Sequence, residues 1–127
     1  MTKPSTKSAS SLRLVVAQAN LLVGAINQNI DHIAELAIQA RDEFSADAVV
    51  FPELAVTGYP PEDLLLRPGL YERVAEGLTR LRHDIKGIDV ILGYPEHTPQ
   101  GVYNAALIMR DGEIIATARK HYLPNYS

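Results

Sequence analysis

A chain of 127 residues is long enough for one domain with a hydrophobic core and too short for two typical domains. Hydrophobic residues make up 46% and charged residues 21%, the balance of an ordinary globular protein rather than a disordered one. The formal net charge of −3 argues against the strongly basic surface with which proteins bind nucleic acids or anionic membranes.

The N-terminal decapeptide, MTKPSTKSAS, is polar and basic. No apolar segment long enough for a signal peptide or a membrane span follows it. We therefore predict a disordered extension over residues 1–11, a folded part over residues 12–127, and a cytoplasmic location without a membrane partner.

The first half of the folded part predicts strands that alternate with a helix. LRLVVAQAN, which begins at Leu12, is a β-rich apolar run typical of a buried strand. Between residues 26 and 40 the apolar residues step by four, three and four, which predicts an amphipathic helix: Ile26, Ile30, Ile33 and Ala37. DAVVF, residues 47–51, predicts a second buried strand.

The second half predicts another helix and three more strands. Helical spacing recurs at Leu70, Val74, Leu78, Leu81 and Ile85, and Gly87 is a plausible stop. DVILGYP, residues 89–95, predicts a third strand, and two further runs flank Asp111-Gly112, a dipeptide typical of tight hairpins. This order predicts an α/β fold in which helices are layered on a sheet. Because these helices can cover one face only, we expect the natural protein to continue past Ser127.

Two charged residues are candidates for chemistry because each follows a predicted strand. Glu53 comes after the second strand, where a partly desolvated carboxylate is a better base near neutral pH. Lys120 follows the last hairpin strand, 67 positions later, where an ammonium group could stabilise a developing oxyanion or keep a carboxylate ionised. On position alone, a capping or surface role is the more common one for each.

Other polar residues give weaker signals. Tyr59 and Tyr126 lie close in sequence to the two charges and could line a small polar pocket, although such tyrosines more often serve in packing. Glu62 and Asp63 form either an acidic helix start or a site for the ammonium group of a substrate, and the helix start is the more common role. The four histidines show no metal-ligand spacing, and no Gly-Lys-Ser/Thr phosphate loop occurs. Cysteine is absent, which rules out disulfides, thiolate metal sites and a cysteine nucleophile within these residues.

Four segments together resemble consecutive signatures of the carbon–nitrogen hydrolase (nitrilase) superfamily: VVAQANLLVGAINQNIDHI, VVFPELAVTGYPPEDLLLRP, DVILGYPE and YNAALIMRDGEIIATARKHYLPNY. The second and fourth are similar, in particular, to the glutamine-hydrolysing N-terminal domain of the glutamine-dependent NAD+ synthetase family. The resemblance covers residues 12–127. It implies the N-terminal portion of a four-layer αββα sandwich, truncated here before the nucleophilic cysteine, in a protein that associates into a homo-oligomer.

The resemblance also implies a Glu-Lys-Cys catalytic triad. Glu53 matches the general base and Lys120 the lysine that supports the oxyanion, while Tyr59 and Tyr126 would line the glutamine pocket. The cysteine is missing, so we expect this chain to be inactive by itself and its parent to release ammonia from glutamine. No cofactor or metal is implied here, because ATP, Mg²⁺ and deamido-NAD+ belong to a separate synthetase domain. That domain's Ser-Gly-Gly-x-Asp-Ser signature is also absent.

Two alternatives stay open. The first is a stand-alone amidase or carbamoylase of the same superfamily. The segment TGYPPEDLL argues against it, because it resembles the synthetase family. The second is a non-catalytic module that binds the parent enzyme or a copy of itself, which the absence of cysteine favours. An uncovered sheet face in such a module would be a large apolar patch that requires a partner.

Overall fold

The computed structural model describes residues 11–58 and 65–123, which fold into two helices and five strands. In chain order these are β1 (Leu14–Val16), α1 (Ile26–Phe44), β2 (Ala48–Val50), α2 (Leu70–Asp84), β3 (Asp89–Thr98), β4 (Gly101–Arg110) and β5 (Glu113–Leu123). The predicted α/β class and order of elements are confirmed. Of the predicted N-terminal extension, residues 1–10 lie outside the described part. No helix in the described ranges has both the length and the apolar character needed to cross a membrane.

The five strands form one mixed sheet in the order β1-β2-β3-β4-β5. The first three are parallel, and α1 and α2 make the crossover connections that parallel neighbours require. The last three are antiparallel and are joined by two hairpins. Val49 lies opposite Val90, and Leu92 lies opposite Leu107, so one face of the sheet is apolar across three strands.

Both helices pack on that apolar face. The predicted stripe of α1 is buried, and Ile30 and Ile33 are 1% and 0% exposed. These side chains, together with Leu70 and Leu81 of α2, join the strand residues in one hydrophobic cluster. Each fully buried aliphatic side chain contributes roughly 1.5–3 kcal/mol relative to an exposed one, so the helical spacing in the sequence is what attaches the helices to the sheet.

The opposite face of the sheet is left open by the described residues. Leu14 and Val16 are 50% and 65% exposed, so the prediction of a buried strand at β1 is right about the strand and wrong about its burial. The reason is that side chains alternate between faces, and only one face is covered here. Strand β5 is exposed at every residue from Glu113 to Tyr122.

The hairpin between β4 and β5 turns at the predicted dipeptide. Asp111 and Gly112 have φ of 48° and 87°, the positive values that a type I′ turn requires at both positions. The Asp111 carboxylate accepts a hydrogen bond from Gly87 N at 2.8 Å, which ties the turn to the end of α2.

A second hairpin, between β3 and β4, was not predicted. Its turn is stabilised by Thr98, whose Oγ1 accepts from Gln100 N at 3.1 Å and donates to Gly101 O at 3.0 Å. Strand β3 therefore continues three residues beyond its predicted end at Pro95. This extension gives β4 and β5 the length to reach the loops at the carboxyl ends of β1 and β2.

Candidate active site

Glu53 lies in the loop that leaves β2 and crosses the neighbouring strand β3. Phe51 N donates to Ile91 O at 2.9 Å, which extends the β2–β3 pairing past the end of the strand. The loop backbone then rests on Gly93, where an added Cβ would lie 2.6 Å from Leu54 N and 3.1 Å from Glu53 Cα. Because a real side chain cannot make such contacts, the glycine permits the close approach that places the glutamate.

The turn directly after the glutamate is strained. Leu54 has φ of 50°, in the left-handed region that residues with a side chain rarely adopt. This conformation costs roughly 1–2 kcal/mol. The Leu54 side chain is only 2% exposed, and its burial offsets the cost.

The far end of the Glu53 loop is fastened to α1 and to the loop before it. Asn29, buried in α1, accepts from Leu22 N at 2.9 Å and donates to Leu22 O at 2.7 Å and to Val56 O at 3.1 Å. Gly24 N donates to Thr57 O at 3.0 Å. The glutamate therefore projects from a loop that is held at both ends.

Lys120 lies inside β5, so the prediction that it follows the strand is wrong. Asn104 of β4 pairs with His121, but the next residue, Ala105, pairs with Arg119. Lys120 therefore has no cross-strand partner and is the extra residue of a β-bulge. A bulge interrupts the regular alternation of side chains, and it can re-aim the extra residue in a way that a regular strand cannot.

The two charges predicted from sequence lie next to each other. Lys120 Nζ is 3.9 Å from Glu53 Oε1, and the side chains are 48% and 40% exposed. At this distance the charges attract, but they form no direct hydrogen bond. An ion pair this accessible contributes at most about 1 kcal/mol to stability, which is too little to account for a strained turn and a bulge.

The neighbouring cation, Arg119, is engaged elsewhere. Its Nε donates to Glu96 Oε1 at 2.7 Å, and its guanidinium lies 4.7 Å from the centre of the Tyr103 ring. The hydrogen bond with Glu96 raises the pKa of Arg119 above its already high usual value, so this side chain stays charged and paired. Lys120 is thus the cation of this dipeptide that faces Glu53.

A cleft of about 510 Å³ opens at the carboxyl ends of β1 and β2, beside the Glu53 loop. The cleft is shallow and opens widely to solvent, and ligands of open α/β sheets bind at this end of the strands. Gln18 and Asn20 bring amide groups to a largely apolar wall. The cleft is lined by Val16, Ala17, Gln18, Ala19, Asn20, Phe51 and Pro52.

The remaining site predictions fall on residues that the structure does not describe. Tyr59, Tyr126, Glu62 and Asp63 lie outside the described residues, so their assignments stay predictions. Within residues 11–58 and 65–123, no three His, Asp or Glu side chains are grouped as a metal site requires. That this part of the protein needs no cofactor also stays a prediction.

Three features that build the site were missed in the sequence. Gly93 stands inside a strand pattern, which is a usual signal for a close backbone approach. Asn29 occupies an apolar-face position of α1, three residues after Ile26, and a polar residue there indicates a buried hydrogen-bonding role. The bulge at Lys120 has no local signal, because it is defined only by pairing with β4.

Comparisons with known proteins place the chain among hydrolases of one family. The family model Carbon-nitrogen hydrolase matches residues 13–127. The chain is 50% identical over 123 residues to the glutamine-dependent NAD(+) synthetase of Xanthomonas campestris pv. campestris (strain 8004). This match covers 97% of this chain and 22% of that protein. The chain thus spans about a fifth of the length of the curated relatives it matches.

Solved structures give the same result for the fold. The glutamine-dependent NAD+ synthetase from Acinetobacter baumannii, in complex with ADP, superposes with a TM-score of 0.82 at 38% identity, over 91% of this chain and 22% of that one. A mutant of the amidase from Nesterenkonia sp. AN1 superposes with a TM-score of 0.77 at 25% identity, over 88% of this chain and 44% of the amidase chain. In that amidase the acetamide moiety of fluoroacetamide is covalently added at the active-site cysteine.

Proposed function

Because this chain belongs to the carbon–nitrogen hydrolase family, we propose that Glu53 and Lys120 are two catalytic residues of a glutamine-hydrolysing site. The observation that carries the proposal is the approach of Lys120 Nζ to within 3.9 Å of Glu53 Oε1 across 67 positions of sequence. The curated relatives, which are glutamine-dependent NAD(+) synthetases, support glutamine as the substrate. We assign residues 12–127 to the N-terminal portion of the glutaminase domain.

The proposed reaction is acyl transfer through a thioester. A cysteine thiolate, formed when Glu53 takes the thiol proton, attacks the side-chain amide carbon of glutamine. The C–N bond then breaks, and Glu53 gives its proton to the leaving nitrogen, which departs as ammonia. Water attacks the thioester, Glu53 accepts the proton of the water and passes it to the thiolate, and glutamate is released.

The two residues have complementary roles in this scheme. The Lys120 ammonium stabilises the negative oxygen of each tetrahedral intermediate, while Glu53 transfers the protons. Because Nζ and Oε1 are 3.9 Å apart and share no hydrogen bond, both groups remain available to the substrate. Tyr59 and Tyr126 are proposed to line the glutamine pocket.

The nucleophile comes from outside these 127 residues, since they contain no cysteine. The active-site cysteine of the Nesterenkonia amidase supports the same type of nucleophile here. The chain by itself is therefore proposed to have no glutaminase activity.

The released ammonia is proposed to serve a separate synthetase domain of the full-length enzyme. That domain amidates deamido-NAD+ to NAD+ with ATP and Mg²⁺, in a cytoplasmic homo-oligomer. The name of the curated relatives supports the formation of NAD+, and the ADP complex of the Acinetobacter baumannii enzyme supports an adenine nucleotide as co-substrate.

A stand-alone amidase is the second candidate, because the Nesterenkonia amidase shares the fold over 88% of this chain. Its identity to the chain is 25%, against 50% for the Xanthomonas campestris synthetase, so the synthetase assignment is favoured. The two candidates differ in substrate: an amidase would turn over simple aliphatic amides in preference to glutamine.

A chimera tests the proposal, because it supplies the nucleophile that the chain lacks. Residues 12–127 replace the matching stretch of the Xanthomonas campestris enzyme, and NAD+ formation is measured with glutamine or with ammonia as nitrogen donor. We expect Glu53→Gln and Lys120→Ala each to lower the glutamine-dependent rate roughly 10²- to 10⁴-fold. The ammonia-dependent rate should not change, because ammonia bypasses the hydrolysis.

Glu35→Gln and Lys86→Ala are matched controls, since both side chains are exposed on the helix side of the molecule. Neither should alter either rate. If Glu53→Gln lowers both rates together, the glutamate is structural rather than catalytic. Full glutamine-dependent turnover in Lys120→Ala would reject the oxyanion role.

A further inference from the structure

Asn104 of β4 is a buried polar residue with an unsatisfied atom. It is 1% exposed, and its Oδ1 has no hydrogen-bond partner among the described residues. Its Nδ2 lies 3.5 Å from His121 Nε2, the outer limit of a hydrogen bond. A buried amide oxygen left unpaired destabilises the folded state, and native proteins retain few such groups. The cost calls for a compensating role.

The position of Asn104 indicates what that role is. Asn104 pairs across the strands with His121, and Lys120, the extra residue of the bulge, comes directly next to this pair. In the described part of the chain, His121 is the side chain with which the Asn104 amide makes its polar contact. Core packing does not fix the bulge, because β5 is exposed from Glu113 to Tyr122. The contacts of Arg119 and Tyr122 with the Tyr103 ring hold the strand on either side of Lys120 and His121. A side chain reaching out from the buried strand β4 can restrain the bulge itself.

We propose that Asn104 is a positioning residue that acts through His121 to fix the bulge, and so holds Lys120 against Glu53. An amide suits this task because its two ends offer both a donor and an acceptor. Nδ2 donates to an unprotonated imidazole nitrogen, whereas rotation of the amide presents Oδ1 to an imidazole N–H. Either orientation engages His121 and leaves the other end of the amide unpaired. The inference rests on the proposed catalytic role of Lys120.

The first test replaces Asn104 by leucine, which is similar in size and carries no polar group. Urea denaturation of the Xanthomonas campestris chimera should show an unfolding free energy that is unchanged or higher, because the unpaired oxygen is removed. In the Xanthomonas campestris chimera, Asn104→Leu should lower kcat for the glutamine-dependent reaction about 10- to 100-fold. KM for glutamine should change little, since Lys120 acts on the transition state. A large loss of stability would instead mark Asn104 as purely structural and overturn the proposal.

Variants of His121 test the route through which Asn104 acts. His121→Ala should reproduce the loss of kcat, whereas His121→Gln, which keeps a hydrogen-bonding nitrogen, should restore part of it. Asn27→Ala and His83→Ala are matched controls at exposed positions and should have no effect. Equal rates in His121→Ala and the unsubstituted chimera would overturn the route.

A double-mutant cycle separates this inference from the proposed function. If Asn104 acts through Lys120, adding Asn104→Leu to Lys120→Ala should cause no further loss, whereas independent effects would multiply. A normal glutamine-dependent rate in Lys120→Ala alone would reject the catalytic role of the lysine. A low rate in Lys120→Ala with a normal rate in Asn104→Leu would reject only the positioning role.

Discussion

Replacing Gly93 by alanine tests whether the contact between β3 and the Glu53 loop places the glutamate. The added methyl would lie 2.6 Å from Leu54 N, 3.0 Å from Pro52 O and 3.1 Å from Glu53 Cα. All three are backbone atoms, so no side chain can rotate away. Ordinary contact begins at 3.4 Å, and the closest atom must therefore retreat by about 0.8 Å.

A shift of this size is large for a catalytic group and modest for the fold. Overpacking by one methyl costs typically about 1–3 kcal/mol of stability. Misplacing a catalytic group by about 1 Å can cost on the order of 10²-fold in rate. We therefore expect Gly93→Ala to lower the glutamine-dependent rate of the Xanthomonas campestris chimera about 100-fold while the ammonia-dependent rate is kept.

Gly77→Ala provides the matched control for this substitution. Its added methyl would lie 2.8 Å from Ile30 Cδ1, which belongs to a flexible side chain at the contact between the two helices. Crowding against Ile30 should lower the unfolding free energy, and the better helix propensity of alanine should offset part of that loss. The ratio of the glutamine-dependent to the ammonia-dependent rate should not change. If Gly93→Ala leaves the glutamine-dependent rate at that of the unsubstituted chimera, the close approach does not position Glu53 and the reasoning is refuted.

Two further residues give predictions about stability that urea denaturation of the Xanthomonas campestris chimera can check. Asn29→Ala removes three hydrogen bonds from a buried site and should lower the unfolding free energy by about 2–4 kcal/mol, whereas the exposed control Asn27→Ala should stay within about 0.5 kcal/mol. Burial, reinforced by the charge of Glu96, raises the pKa of Tyr94 above its usual value of about 10. The proton is therefore held more tightly in the folded chain, so the contribution of Tyr94 is complete below pH ~10 and is lost as the pH rises through the folded value. The alkaline fall in stability should be shallower in Tyr94→Phe, and an identical slope in both proteins would contradict this.

The elements that could be predicted are those with a local cause. The buried stripes of both helices follow from side-chain spacing within each segment, and the β4–β5 hairpin follows from the positive φ that Asp111-Gly112 adopts readily. The β3–β4 hairpin was missed because Pro99-Gln100 is not a dipeptide typical of hairpin turns, and because Pro95 argued for an earlier strand end. The burial of β1 was misjudged because it depends on what covers the sheet, which no local pattern contains.

The candidate site divides in the same way. Glu53 and Lys120 could be selected from sequence because each is a charge beside an apolar run and both match one family. Their 3.9 Å separation could not, since it depends on two non-local features: the crossing of the Glu53 loop over Gly93, and the bulge that pairing with β4 creates in β5. Sequence thus identified the residue types, and strand pairing determines how they meet.

Three features close to the two charges have one energetic property in common: each costs stability. The left-handed turn at Leu54 costs roughly 1–2 kcal/mol, and the unpaired oxygen of Asn104 costs about 1–3 kcal/mol. The bulge removes Lys120 from the hydrogen-bonded ladder as well. The half-exposed ion pair between Lys120 and Glu53 stabilises the fold by at most about 1 kcal/mol. This contribution is too small to explain why the three features occur together. Strain of this kind concentrates at functional sites, where geometry rather than stability is required, and its convergence on Glu53 and Lys120 favours a catalytic over a structural role for the pair.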